Sequence, residues 1–326
     1  VVLVGGFGTR LRPLTLSTPK PMLPVAHVPI IERLVGNLVR GGVDDVTLAL
    51  GFKPEPFITA FPDGTCAGAR VRYAVEPEPL DTAGAIRFAA EFAGIDDTFV
   101  VANGDVLTTL DVGALVDAHR TFGAEATIHL IPVDDPSAFG VVEIDQHDRI
   151  LRFVEKPAPG TEPSNLANAG TYVLEPSVIG RIAGGRKVSI ERVTFPAVAD
   201  DGGLYGFATS DAWVDTGRPD TYLQANLDAL GAEPHSVHAG AEVHPSAILD
   251  RAVVGDGSVV GADVVIVRSV LLPGASVSTG ARIEDSVVMG AVGAGAVVQH
   301  SVIGATGVVD AGEVVRDERR PAPAPS

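Results

Sequence analysis

Apolar side chains recur every six positions through the last quarter of the chain: Val253, Val259, Val265, Leu271, Val277, Ile283 and Met289, then, after one eight-residue step, Val297, Ile303, Val309 and Val315. A helix repeats its buried face every 3.6 residues and a half-buried strand every 2, so a period of six fits neither. It fits a parallel β-helix, in which each hexad forms one short side and three close a coil. The alternative, a valine-rich sandwich, does not require such strict spacing. A left-handed parallel β-helix of three to four coils is therefore expected over residues 241–316. Gly231-Ala232-Glu233-Pro234 opens a linker over 231–240, and the charged, then proline-rich residues 317–326 are expected to form a disordered tail.

Residues 1–230 have a different texture. Val1 to Val4 form an apolar run suited to a strand buried on both faces. Ile30, Ile31, Leu34, Val35, Leu38 and Val39 form a helical stripe that stops at Gly41-Gly42. Val46–Leu50 reads as a strand, Ala83–Phe92 as a helix and Thr98–Ala102 as a strand. Such alternation predicts an α/β domain around a Rossmann-like, mixed but mostly parallel sheet. Ligands of such sheets sit beyond the carboxyl ends of the strands, where the turn after Val4 lies.

That turn carries Gly5, Gly6 and Gly8, which let backbone N–H groups approach an anion closely. Arg10 offers a planar fork for phosphate oxygens, and Lys20 a compact charge on a segment stiffened by Pro19, Pro21 and Pro24. The loop lacks the Gly-Lys-Ser/Thr ending of a P-loop, and Leu11 stands where a dinucleotide fingerprint needs its third glycine. A tight turn with solvated charges is the plain alternative.

Gly5-Gly6-Phe7-Gly8-Thr9-Arg10-Leu11 followed by Pro19-Lys20-Pro21 resembles the signature of the sugar-1-phosphate nucleotidylyltransferases. With Arg12-Pro13-Leu14-Thr15 it most resembles the mannose-1-phosphate guanylyltransferases. The resemblance implies transfer of a nucleotidyl group from a nucleoside triphosphate, GTP foremost, to a sugar-1-phosphate, mannose-1-phosphate foremost. It implies Arg10 and Lys20 as catalytic residues. Leu3, Gly5, Gly6, Gly8, Thr9, Glu76, Asp81, Thr82 and Gly84 would bind the nucleotide, although the family has glycine at the position of Asp81. Asp81 could instead cap the following helix.

The same resemblance assigns Mg²⁺ to Asp105, in Asn103-Gly104-Asp105-Val106, and Asp215, in Trp213-Val214-Asp215-Thr216-Gly217. Each aspartate could otherwise serve only as a turn or helix cap. Phe153-Val154-Glu155-Lys156-Pro157 is similar to the family's sugar-phosphate clamp, with Glu155 on sugar hydroxyls and Lys156 on the phosphate. Gly140 and Asn168 would complete that pocket.

The formal net charge of -17 speaks against a nucleic-acid partner, and no stretch reaches the length of an apolar membrane span. A single cysteine, Cys66, and a leading apolar run of only four residues suit a cytoplasmic protein. Self-association into a homo-oligomer is expected from the flat coil faces. UDP-, dTDP- or ADP-glucose pyrophosphorylase activity stays open, as does a regulatory paralogue that senses nucleotide sugars without catalysis.

Overall fold

The structure is a computed structural model that describes residues 1–51 and 54–322. The chain forms two compact units, one of residues 1–6 with 31–213, the other of residues 7–30 with 214 onward. The 24-residue segment bearing Arg10 and Lys20 thus belongs with the C-terminal part of the chain, a grouping that the sequence boundary near residue 230 does not suggest.

The first unit is built on a twisted mixed sheet. Its parallel part contains β1 (Val2–Leu3), followed after α1 (Ile30–Arg40) by β2 (Asp45–Leu50) and β3 (Ala69–Val75), then after α2 (Asp81–Ala93) by β4 (Phe99–Asn103). β1 lies between β2 and β4, with Leu3 opposite Ala49 on one side and Asn103 on the other. Val2, Leu48, Leu50 and Val101 are buried, as expected for strands covered on both faces. α1 buries Ile31, Leu34, Val35 and Leu38, the stripe expected from the sequence.

The sheet continues antiparallel. After α3 (Val112–Phe122), capped by Asp111 accepting the Ala114 amide at 3.0 Å and ended by left-handed Gly123, come β5 (Ala126–Pro132), β6 (Gly140–Ile144), β7 (Ile150–Glu155), β8 (Leu166–Leu174) and β9 (Leu204–Ala208). The strand order is β7-β6-β8-β4-β1-β2-β3, with β5 also on β8 and β9 parallel to β5. β8 changes register between Asn168 and Tyr172. Gly170 makes that bulge possible: its φ is +78°, and a Cβ there would stand 2.5 Å from Asn103 Nδ2. Tyr172 is fully buried and meets Phe195 edge-on at 5.0 Å in a core shared with Ile86, Ile128 and Val178. Truncating Phe195 to alanine would cost about 3–5 kcal/mol.

In the second unit, parallel strands stack into three sheets of six, five and five strands, a three-sided β-helix consistent with the left-handed coil of hexapeptide repeats. The period corrects the sequence reading. Val253 pairs with Val270, and Val270 with Val287, so a coil takes 17 residues; Val287 pairs with Val302, so one coil takes 15. The inward residues run Val254, Val260, Ile266, Leu271, Val277, Ile283, Val288, Val292, Val298, Ile303, Val309 and Val315. One corner per coil is a residue short, which moves the interior one place beyond Val253, Val259 and Val265, and the tight coil falls between Val288 and Val292.

The stack is also longer than three to four coils. His235–Val237, expected in the linker, form the first rung, and Arg319–Arg320, expected in the tail, form the last. Both rungs pair through backbone, and their side chains are polar apart from the exposed Val237, so they leave no six-residue apolar signature. Residues 323–326 of the expected tail lie outside the described residues. The junction is held by Arg251, whose guanidinium donates to the carbonyls of Gly231 at 2.9 Å and Leu227 at 2.8 Å, at the end of α4 (Pro219–Asp228).

Candidate active site

In the first unit, the carboxyl ends of β1, β2, β3 and β4 lead into Gly5, Gly51, Glu76 and Gly104. The Gly104 amide donates to Leu3 O at 2.8 Å, and a Cβ on Gly104 would come 2.5 Å from Val4 Cγ1. Only glycine therefore fits before Asp105, which stands half-buried at the end of β4. A Cβ on Gly5 would meet the Gly51 amide nitrogen at 3.3 Å, so two bare backbones lie side by side. Gly6 has open space at its Cβ position. Leu3, between two strands, contributes main chain to this edge.

The segment expected to contact the nucleotide follows β3. Glu76 is buried, its Oε2 accepts the Leu80 amide at 2.9 Å, and burial raises its pKa against that hydrogen bond. Asp81 has φ +61°, the left-handed region in which glycine is at ease and an L-residue is strained. The position suits the family's glycine for a backbone reason. The Asp81 carboxylate accepts its neighbour's amide, that of Thr82, at 2.8 Å. The Thr82 hydroxyl accepts the Ile190 amide and donates to Glu191, both at 2.8 Å, and Gly84 packs where a Cβ would meet Arg186 O at 2.8 Å. Thr82 and Gly84 thus shape the segment from behind.

The residues expected to shape a sugar pocket lie on the antiparallel strands. Gly140 is opposite Glu155 in the β6–β7 pair, and a Cβ on it would come 2.7 Å from Glu155 Oε2. Burial raises the Glu155 pKa, with Glu191 adding to the effect and Lys156 opposing it. Lys156 has left-handed φ +49°, its amide donates to Phe139 O at 2.9 Å, and its ammonium lies 3.8 Å from Glu155 Oε1. Asn168 accepts the Gly170 amide at 2.9 Å and donates to the Tyr172 hydroxyl at 3.0 Å, bracing the β8 bulge. Trp213 Nε1 donates to Ala169 O at 2.8 Å, and its ring meets Phe139 edge-on.

In the second unit, left-handed Gly8 opens a turn over Thr9–Leu11, and its carbonyl accepts the Thr15 hydroxyl at 2.7 Å. That turn carries Arg10, which is 65% exposed and reaches Asp215 Oδ2 at 3.4 Å. Lys20, only 6% exposed, donates to Asp215 Oδ1 at 3.1 Å. Burial alone would raise the Asp215 pKa, but the Lys20 ammonium and the Arg10 guanidinium prevail and hold it below the ordinary carboxylate value. The Gly217 amide also donates to Asp215 Oδ1 at 2.8 Å, and a Cβ there would stand 2.6 Å from Arg10 Nη2. An anionic carboxylate and two cations are thus gathered around one glycine.

Sequence reading missed Gly51, Thr15 and Gly217. Gly217 lies inside the quoted Trp-x-Asp-x-Gly motif and was recoverable from it; Gly51 and Thr15 act through tertiary contacts that leave no local pattern. Among the described residues no group of three or more His, Cys, Asp or Glu side chains could hold a metal ion. A hard divalent cation takes carboxylate oxygens together with substrate oxygens and water. Asp105 and ionised Asp215 have the right donor chemistry. No helix among the described residues is long and apolar enough to cross a membrane.

Residues 1–231 match the family model described as nucleotidyl transferase. The chain is 41% identical over 300 residues to a mannose-1-phosphate guanylyltransferase of Mycobacterium tuberculosis, covering 87% of this chain and 82% of the relative. A mannose-1-phosphate guanyltransferase of Aspergillus fumigatus is 39% identical over 76% of this chain and 72% of its own, and a probable mannose-1-phosphate guanylyltransferase of rice 38% over 87% and 82%. The crystal structure of HddC from Yersinia pseudotuberculosis superposes with a TM-score of 0.61 at 29% identity, covering 70% of this chain and 97% of that one. A second crystal structure of that protein, complexed with GMP-PN, gives 0.60 at 28% identity and the same coverage. The chain is an enzyme that belongs to the nucleotidyl transferase family.

Proposed function

We propose that this enzyme transfers GMP from GTP to mannose-1-phosphate, giving GDP-mannose and pyrophosphate. The substrate pair rests above all on the relatives, bacterial, fungal and plant, that are named for it. In this reaction an oxygen of the sugar phosphate attacks the α-phosphorus of the triphosphate. A new P–O bond forms as the bond to the bridging oxygen of the β-phosphate breaks, and pyrophosphate leaves. No side-chain nucleophile is needed, so the protein's work is positioning and charge stabilisation.

Arg10 and the amides of Gly5, Gly6, Gly8 and Thr9 would hold the β- and γ-phosphates, and Lys20 would neutralise the α-phosphate. Glu76, Leu3 and the turn at Asp81 would face the base and ribose. Lys156 would hold the attacking phosphate, while Glu155, Gly140 and Asn168 would shape the sugar pocket. Asp105 and Asp215 are the proposed carboxylates for Mg²⁺, which when bound supplies a Lewis acid that lowers the repulsion between the two phosphates. We place the enzyme in the cytoplasm as a homo-oligomer. Exposed Ile248, Val259, Val308 and Val314 on the coils support self-association, which sedimentation velocity would read.

The test is substrate discrimination. Pyrophosphate release measured with GTP, UTP, dTTP and ATP against mannose-, glucose- and galactose-1-phosphate should give the highest kcat/KM for GTP with mannose-1-phosphate, by about ten-fold or more. A higher value for a glucose-1-phosphate pair would move the assignment to that nucleotide sugar. Tight nucleotide-sugar binding with no release from any pair would point to a sensor.

A further inference from the structure

The last coil of the β-helix reaches the turn that carries Arg10. Arg319 Nη1 donates to the carbonyl of Arg10 at 2.9 Å and to that of Arg12 at 3.2 Å. Within the turn the Leu11 amide donates to Gly8 O and the Arg12 amide to Thr9 O, and the carbonyls of Arg10 and Arg12 are the ones that Arg319 holds. Pro13 sits on Gly304, where a Cβ would come within 2.8 Å of Pro13 Cβ and 3.1 Å of its carbonyl oxygen. The Ser17 hydroxyl lies 3.6 Å from Met289 Sδ. Met289, Gly304 and Arg319 come from one side of three successive coils, whose strands pair Val287 with Val302 and Val302 with Arg319.

The rung bearing Arg319 is itself fixed. A ladder of serine hydroxyls climbs the stack: Ser269 accepts the Ser286 amide at 3.1 Å, Ser286 the Ser301 amide at 3.0 Å, and Ser301 the Glu318 amide at 3.1 Å. Arg320 is paired with Glu313 at 2.7 Å and Glu318 at 3.0 Å. A single 3₁₀ turn has little stability of its own, whereas a stack of coils is rigid. Arginine suits the contact because one terminal nitrogen, permanently charged, carries two hydrogens and serves both carbonyls at once.

We propose that Arg319 is a positioning residue for the triphosphate, tying down the Thr9–Leu11 turn so that Arg10 is presented to the leaving phosphates. The kinetic part of this inference rests on the roles given above to Arg10 and the loop. The structural part does not, and hydrogen exchange tests it without substrate.

In Arg319→Ala, the amides of Leu11 and Arg12 should exchange about three- to ten-fold faster, while those of Val254 to Val298 in the coils keep their protection. The KM for the triphosphate should rise by a similar factor, with the KM for the sugar phosphate unchanged. Arg319→Lys, which keeps a charged donor on a different, more flexible stem, should recover part of both effects. Gly304→Ala, which presses a Cβ against Pro13 and leaves Arg319 in place, should show the same split. Unchanged exchange at Leu11 and Arg12 overturns the tie. So does faster exchange along the coils with both KM values raised, which would make Arg319 a folding residue. If GTP and mannose-1-phosphate prove to be the wrong pair, the substrate assignment fails and the exchange result still decides the inference.

Discussion

Lys20 and Asp215, 195 positions apart in the chain, meet through a 3.1 Å hydrogen bond in which an almost fully buried ammonium neutralises a carboxylate that burial would otherwise push toward protonation. The pair keeps Asp215 anionic at neutral pH, as a ligand for a divalent cation must be. It also places the cation proposed for the α-phosphate beside the carboxylate proposed for the metal.

Asp215→Asn removes the charge while keeping an oxygen for the Gly217 amide. Pyrophosphate release should fall by about two to three orders of magnitude, with the circular dichroism spectrum unchanged. Near-normal turnover at saturating Mg²⁺ would falsify the metal assignment.

Asp81→Gly should relieve the left-handed strain at φ +61° and lose only the exposed bond to the Thr82 amide. Stability should stay level or rise by up to about 1 kcal/mol, whereas Asp81→Ala, which keeps the strain without the bond, should lose about 1 kcal/mol. Urea denaturation of the two variants side by side reads the difference.

Lys156, 62% exposed, can be removed at little cost to the fold. Lys156→Ala should raise the KM for the sugar phosphate by about ten- to a hundred-fold and leave that for the triphosphate nearly unchanged. Equal rises in both would contradict its place at the second phosphate.

Stability toward acid should depend on His129. Its ring is fully buried on β5, Nε2 bonds to the Thr209 hydroxyl at 2.8 Å, and burial lowers its pKa from 6.5 to about 4. Between pH 6.5 and 4 the unfolded chain therefore binds a proton that the folded one refuses, and stability falls as pH drops through that window. The loss attributable to this residue is at most roughly 3 kcal/mol. His129→Gln should flatten the fall in Tm between pH 6.5 and 4; an unchanged slope would show that the ring does not govern it.

The α/β domain was legible because its strands and helices announce themselves locally: Ile31, Leu34, Val35 and Leu38 are buried as their spacing predicts. The β-helix was legible in kind but not in register, since a period of six hides a corner one residue short, as between Ile266 and Leu271. Its end rungs escaped notice because His235–Val237 and Arg319–Arg320 pair through backbone without an apolar pattern. The grouping of residues 7–30 with the coils depends on contacts such as that of Arg319 with Arg10, 309 positions apart, which no local pattern encodes. At the site, motifs identified Arg10, Lys20 and Asp215 as residues of interest, but their gathering around Gly217 needed the fold.

The central claim is that this chain transfers a nucleotidyl group by itself, and the direct measurement is product formation by the purified protein with GTP, mannose-1-phosphate and Mg²⁺, no other protein added. The account predicts GDP-mannose and pyrophosphate in equal amounts, each depending on both substrates. Absence of both products from a folded protein that binds GTP would contradict it.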